Sequence, residues 1–183
     1  MVVDQFTKRI GTVQRNGWFC VGSDPQVKVG NSWQRVTVLG AITHTGESFY
    51  CWTEENLTRH HGIRLLKALL DEFGENLVVF LDQAGYFLAN DVREFVSGST
   101  ELETVEDTSI NCVRGDRLEV WYFPSKLPEL NPVEECWKQL QTWFSNRFVP
   151  DLDTLKRDLR TGIKTISEPN IWNYLCKAEE NGK

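Results

Sequence analysis

The chain has 183 residues, of which 40% are hydrophobic and 25% are charged, and these values are typical of one globular domain. Its longest apolar runs, such as residues 77–81, are far shorter than the roughly 20 residues that a membrane-spanning helix needs. The formal net charge of −6 argues, taken alone, against a polyanionic partner, although carboxylates that hold cations would contribute to the same charge.

Alternating and continuous apolar patterns predict strands over 2–6, 18–21, 35–42, 48–52, 77–81 and 118–123. Apolar residues at helical spacing predict helices over 57–73, 89–96 and 131–148, with a further helix after Asp151. Residues 97–117 are polar and lack a period, so they are predicted to form a long surface loop or insertion that contributes no core. Pro169 ends the last helical pattern before a short tail.

The five cysteines are odd in number, far apart in sequence and free of any C-x-x-C pair: Cys20, Cys51, Cys112, Cys136 and Cys176. This usage excludes a zinc ribbon and a fully paired disulfide framework, and it favours free thiols in a reducing cytoplasm. Three histidines are too few for a histidine–cysteine metal site, whereas a hard cation held by carboxylates remains open.

Each of two predicted strands is expected to end in an aspartate. Asp4 follows Val2 and Val3, and Asp82 follows the apolar run 77–81. A crossover helix between the two strands makes them parallel, so they are expected to lie side by side at the centre of the sheet. Ligands of open α/β sheets gather at the carboxyl ends of strands, where two neighbouring carboxylates would repel each other unless a cation lay between them.

The segment 130–137 carries the third acidic residue of interest. Asn131 is a favourable N-cap and Pro132 suits the first helical position, which puts Glu134 at the third. A glutamate there has two readings: it is a ligand at the edge of the sheet, or it completes a capping box with Asn131. The pattern alone leaves both open.

Residues 128–134 (PELNPVE), with Trp137 three residues further on, resemble the third motif of mariner-superfamily transposases, in the prokaryotic insertion-sequence branch. Residues 80–84 (FLDQA) are similar to the second motif of that family. The first motif is matched by residues 4–5 (DQ), and residues 16–18 (NGW) are similar to the Gly-Trp that follows it. The third motif is specific, while the first two gain weight from their order and from the strands that precede them.

The resemblance implies an α/β RNase H-like fold with a mixed five-stranded sheet flanked by helices, over residues 1–183 as one catalytic domain. It implies a catalytic and metal-binding triad of Asp4, Asp82 and Glu134 that holds two Mg²⁺ or Mn²⁺ ions. The implied activity is phosphodiester hydrolysis at element ends and strand transfer to target DNA. The implied partners are DNA and a second copy of the chain in a homodimer, with no membrane, and the implied location is the cytoplasm, at the nucleoid when bound to DNA.

The chain departs from the family pattern at several points. Gln5 replaces an acidic neighbour of the first aspartate, and Phe87 or a neighbour stands where a histidine often follows the second. The 51 residues between Asp82 and Glu134 exceed the usual spacing, and the excess matches 97–117. Relatives carry an N-terminal helix-turn-helix region, which is expected to be separate from this chain or missing.

Basic side chains that flank the third motif are predicted to contact DNA phosphates: Lys126, Lys138 and Arg147. Two alternative functions stay open at this point. One is another RNase H-like nuclease, such as a resolvase or a nuclease for RNA–DNA hybrids. The other is a transposase remnant without catalytic activity.

Overall fold

The computed structural model of this chain describes residues 1–12, 18–24, 26, 28, 30–106, 110–125 and 130–171. The strands are β1 (Val2–Gly11), β2 (Asn31–Ile42), β3 (Ser48–Thr53), β4 (Leu77–Leu81), β5 (Glu103–Thr104), β6 (Asn111–Arg114) and β7 (Leu118–Tyr122). The helices with described bounds are α1 (Arg59–Phe73), α2 (Asn90–Ser97), α3 (Val133–Trp143) and α4 (Leu152–Ile163). None of these helices is both long and apolar enough to cross a membrane.

All seven strands form one mixed sheet in the order β3-β2-β1-β4-β7-β6-β5. The three central strands β1, β4 and β7 are parallel, and two antiparallel strands extend the sheet on each side. Helix α1 supplies the crossover from the β1–β3 meander to β4, which returns beside β1. The prediction that the first strand and strand 77–81 are parallel neighbours is confirmed.

Helices cover both faces of the sheet, and alternate residues of the central strands supply the two cores. Val2 and Phe6 of β1 pack in the core that α3 and α4 cover, whereas Val3 packs in the core that α1 and α2 cover. The two faces of β4 differ in burial: Val79 and Leu81 are fully buried on the α1 side, whereas on the other face Phe80 is half-buried and Val78 is exposed. The sheet is therefore a rigid platform at the position where the acidic residues emerge.

The strand count differs from the expected five, because the segment predicted as a surface insertion adds two strands to the sheet. Residues 111–114 pair antiparallel with β7, and Cys112 and Val113 are buried. The prediction that 97–117 contributes no core is therefore wrong. A four-residue strand between polar flanks carries too few residues to show a period, and its burial comes from pairing with the edge of β7.

The predicted strand at 18–21 is also absent, since the described residues 18–24 contain no strand. Trp18 and Val21 are fully exposed there, so the apolar residues that favoured a strand have no sheet partner in the described residues. Most of the remaining connection between β1 and β2, and the tail from residue 172, lie outside the described residues.

Candidate active site

Asp4 and Asp82 lie at the same level of neighbouring parallel strands. Asp82 follows the end of β4 as expected, whereas the expectation that Asp4 ends its strand is wrong, because β1 continues to Gly11. Val2 of β1 pairs with Phe80 of β4, so two residues further along each chain Asp4 comes beside Asp82 at the carboxyl end of β4. Asp4 is only 8% exposed, whereas Asp82 is half-buried. The amide of Ala84 donates to Asp82 Oδ1 at 3.3 Å, which turns the chain away from the sheet immediately after the strand.

Glu134 reaches the same edge from the first turn of α3. The side chain of buried Asn131 accepts a hydrogen bond from the Val133 amide at 3.1 Å, so this asparagine caps the helix as its sequence predicts. No hydrogen bond joins the half-buried Glu134 carboxylate to another described residue. The second bond of a capping box is therefore missing from the described contacts, which favours the ligand reading of Glu134.

The electrostatics of the site are clearest at Asp4, where the charges of the two other carboxylates act. Burial raises the pKa of Asp4 to about 7, and the negative charges of Glu134 and Asp82 contribute to that rise. Hydrogen bonds from the Gln5 backbone and the Trp137 side chain oppose the rise of this pKa. Burial also raises the pKa of Asp82, against the opposing bond from the Ala84 amide. The site thus concentrates negative charge in a poorly solvated place.

The side chains do not form a closed ligand group as they stand: within the described residues, no three His, Cys, Asp or Glu side chains lie close enough together to hold a metal ion. The donor set itself consists of carboxylates alone, and oxygen ligands of this kind suit Mg²⁺ and Mn²⁺ rather than zinc. The chemistry of the site therefore fits a hard divalent cation, while the assignment of the three residues as metal ligands stays a prediction.

Tyr86 and Gln5 are two residues at this edge whose contact the sequence analysis missed. The Tyr86 hydroxyl donates to Gln5 Oε1 at 2.7 Å. Burial, together with the charges of Asp82 and Asp4, raises the pKa of Tyr86, so its hydroxyl keeps its proton. The sequence signal for this contact was the pair of departures from the family pattern, one at Gln5 and one near Phe87. Phe87 itself is buried in the core, and its neighbour Tyr86 faces the acidic residues.

Gln83 links the end of β4 to the segment that leads to α3. Its side-chain amide donates to the Phe123 carbonyl at 2.9 Å and accepts from the Ser125 hydroxyl at 2.8 Å. This bridge joins the chain beside Asp82 to the start of the connection that carries the third motif.

The basic residues predicted to contact DNA have local partners where they are described. Lys138 forms an exposed ion pair with Glu135 at 3.1 Å, and the Arg147 guanidinium lies 3.7 Å from the ring centre of Trp143. Lys126 lies outside the described residues. Exposed contacts of this kind are weak, so they can be exchanged for contacts with a phosphate.

The mixed sheet with helices on both faces is the architecture expected of an RNase H-like fold. Residues 1–156 match the family described as DDE superfamily endonuclease, and the chain belongs to that family. The predicted family is thereby confirmed.

Solved structures with this fold include a Mos1 transposase paired-end complex with the left transposon end. It matches with a TM-score of 0.66 and 14% identity, over 98% of this chain and 52% of that chain. The Mos1 mariner paired-end complex with Mn matches with a TM-score of 0.67 and 14% identity, over the same shares of each chain. At this identity the likeness shows the fold.

A protein described as uncharacterized protein y4pE/y4sA, from Sinorhizobium fredii (strain NBRC 101917 / NGR234), is 27% identical over 107 residues. The match covers 58% of this chain and 62% of that protein. The chain thus spans about half the length of the solved relatives and less than two thirds of this one.

Proposed function

We propose that this chain is the catalytic domain of a DNA transposase. Its reaction is phosphodiester hydrolysis at the ends of a mobile element, followed by strand transfer to target DNA. The observation that supports the proposal is that Asp4 feels the charges of both Asp82 and Glu134 at one edge of the sheet, in a chain of the DDE endonuclease family. Solved relatives of the same fold are described as Mos1 transposase complexes with Mn and with Mg.

Asp4, Asp82 and Glu134 would hold two Mg²⁺ or Mn²⁺ ions. When bound, such cations activate a water or a 3′-hydroxyl and stabilise the leaving oxygen of the phosphodiester. The negative charges of Glu134 and Asp82 repel an ionised Asp4. Positive charge between them would compensate both the repulsion and the cost of burial.

The residues of the chain also control protons at the site. Burial raises the pKa of Asp4 to about 7, so a proton held there must leave when the carboxylate becomes a ligand. Tyr86 keeps its hydroxyl proton and donates it to Gln5 Oε1, so this hydroxyl is held in place next to the acidic residues.

DNA is the proposed partner, through phosphate contacts from Lys126, Lys138 and Arg147. Such contacts supply affinity and orientation but no sequence choice. Recognition of the element ends is assigned to a helix-turn-helix region, and the active assembly is proposed to be a homodimer.

The test compares Asp82→Asn with a matched control, Asp91→Asn. Asp91 lies in the first turn of α2 and forms an exposed ion pair with Arg59, away from the acidic edge. We expect the wild type and the control to show a rise in Tm with Mn²⁺ and metal-dependent cleavage of labelled duplex DNA. Asp82→Asn should lose both responses while it keeps its fold in EDTA.

Each other outcome contradicts the proposal in a distinct way. Cleavage that is restricted to RNA–DNA hybrids or to branched DNA would assign the chain to another class of RNase H-like nuclease. A wild type that neither gains stability from Mn²⁺ nor cuts any substrate would identify a non-catalytic remnant.

A further inference from the structure

Trp137 connects the third motif to the first acidic residue. Its indole is 2% exposed, and the Nε1–H group donates to Asp4 Oδ2 at 2.9 Å in a fully buried hydrogen bond. The two residues are 133 positions apart in sequence. A buried indole N–H needs an acceptor, and here the acceptor is a carboxylate of the acidic edge.

The indole is held in place on several sides. The Phe6 ring stacks on it with ring centres 5.6 Å apart and an interplanar angle of 22°, and Tyr50 meets it edge-on at 6.1 Å. Because these rings confine the indole, the direction of its N–H group is set by the core and does not depend on Asp4.

Gly40 provides the space that this arrangement requires. It is the residue directly opposite Asp4 in the antiparallel β1–β2 pair. A Cβ atom at Gly40 would lie 2.6 Å from Cη2 and 3.0 Å from Cζ2 of Trp137, so no other residue fits without displacing the indole. A glycine inside a strand weakens it, and it marks a place where another group must approach the backbone closely.

The consequence for Asp4 is a restricted carboxylate. With Oδ2 engaged by the indole, rotation of the carboxylate about the Cβ–Cγ bond is limited. Groups that hydrogen-bond to a metal-binding side chain fix its orientation in this way, and their removal typically lowers metal affinity about 10–100-fold. Packing alone would be served equally well by a ring without a donor.

We infer that Trp137 is a positioning residue for Asp4: its indole N–H holds the carboxylate in the orientation that a divalent cation requires, and Gly40 provides the space for it. This inference rests on the proposed function, because it assumes that Asp4 is a metal ligand.

The experiment measures Mn²⁺ affinity directly, by the electron paramagnetic resonance signal of free Mn²⁺, and needs no catalytic turnover. Trp137→Phe keeps an aromatic ring but removes the donor. Trp143→Phe is the matched control, since Trp143 lies on the same helix and contacts Phe144 and Arg147 instead of a site carboxylate. We expect at least a tenfold loss of affinity in Trp137→Phe and less than a twofold change in Trp143→Phe.

A second measurement uses the wild type and covers the case in which Trp137→Phe does not fold. The Nε1–H resonance of Trp137, assigned through its contacts with Gly40 and Phe6, is followed by NMR during titration with diamagnetic Mg²⁺. It should shift with the midpoint of metal binding, whereas the resonance of Trp143 should not.

The outcomes separate this inference from the proposed function. A wild type that binds no Mn²⁺ contradicts the metal site itself. If the wild type binds Mn²⁺, two results overturn the positioning role and leave the metal site standing. One is a folded Trp137→Phe with the same Mn²⁺ affinity as the wild type, and the other is a Trp137 resonance that does not move.

Discussion

Replacement of Asp4 by asparagine should stabilise the metal-free protein at neutral and alkaline pH. Burial and the charges of Glu134 and Asp82 raise the pKa of Asp4 from the usual 3.8 to about 7. At about 1.4 kcal/mol per pH unit, the ionised carboxylate costs the folded state about 4 kcal/mol. Asparagine has one acceptor oxygen instead of two, and one lost hydrogen bond costs about 1 kcal/mol, so the expected net gain is about 3 kcal/mol.

The sign of the pH dependence follows from proton binding. The folded state keeps the Asp4 proton up to about pH 7, whereas the unfolded chain releases it near 3.8. Between these values the unfolded state binds fewer protons than the folded state. The contribution of Asp4 to the free energy of unfolding of the wild type therefore decreases as the pH rises and is constant above about pH 7. The advantage of Asp4→Asn should therefore be about 3 kcal/mol at pH 8 and below about 1 kcal/mol at pH 5.

Urea unfolding in EDTA at pH 5, 6, 7 and 8 measures this difference. Asp91→Asn is the control, because Asp91 is exposed and pairs with Arg59 at the surface; its free energy of unfolding should stay within about 0.5 kcal/mol of the wild type at each pH. Equal stabilities of Asp4→Asn and the wild type at pH 8 would refute the argument, since the carboxylate would then carry no burial cost.

Three further predictions test the site and the fold. Glu134→Gln should abolish stabilisation by Mg²⁺ and metal-dependent cleavage without loss of stability in EDTA, whereas Glu135→Gln should retain both, having lost only an exposed ion pair. Val113→Ala should lower the free energy of unfolding by about 1–3 kcal/mol in urea titrations, and Thr104→Ala on exposed β5 by far less. The three proposed phosphate contacts predict weak duplex binding: the logarithm of the association constant should fall with the logarithm of the salt concentration at a slope of about −3. Lys138→Ala should reduce the size of that slope by about 1. A slope near zero, measured by fluorescence anisotropy, would contradict these contacts.

The central part of the fold was predictable because its strands carry clear patterns. Residues 77–81 are apolar on both faces, and the crossover rule places that strand parallel to β1. The short strands β5 and β6 were not predictable, because two and four residues give no period. They are held by successive antiparallel pairing, β6 with β7 and β5 with β6.

The acidic residues were predictable from position, and their supporting contacts were not. Asp82 follows a buried strand, and Glu134 follows a helix-start signal. Trp137 has the spacing of a core residue and is buried in the core. That spacing gives no sign in the sequence of its hydrogen bond to Asp4. Gly40 was the available signal, because a glycine within a strongly apolar strand indicates a close approach by another group.

Burial and the proposed role as a metal ligand make opposite demands on Asp4, and its raised pKa reflects the cost of burial. A carboxylate that costs the folded state about 4 kcal/mol persists at the centre of a sheet only if something else requires it. Hydrogen bonds from the Trp137 indole and the Gln5 backbone N–H offset part of that cost but leave the pKa of Asp4 raised. Hydrogen bonding alone therefore does not compensate the burial of this carboxylate. A divalent cation would resolve it, because it favours the ionised form of all three carboxylates at once. Metal affinity and stability without metal should therefore change in opposite directions with pH. As Asp4 loses its proton between pH 5 and 8, its contribution to stability without metal decreases, while its carboxylate becomes a better metal ligand.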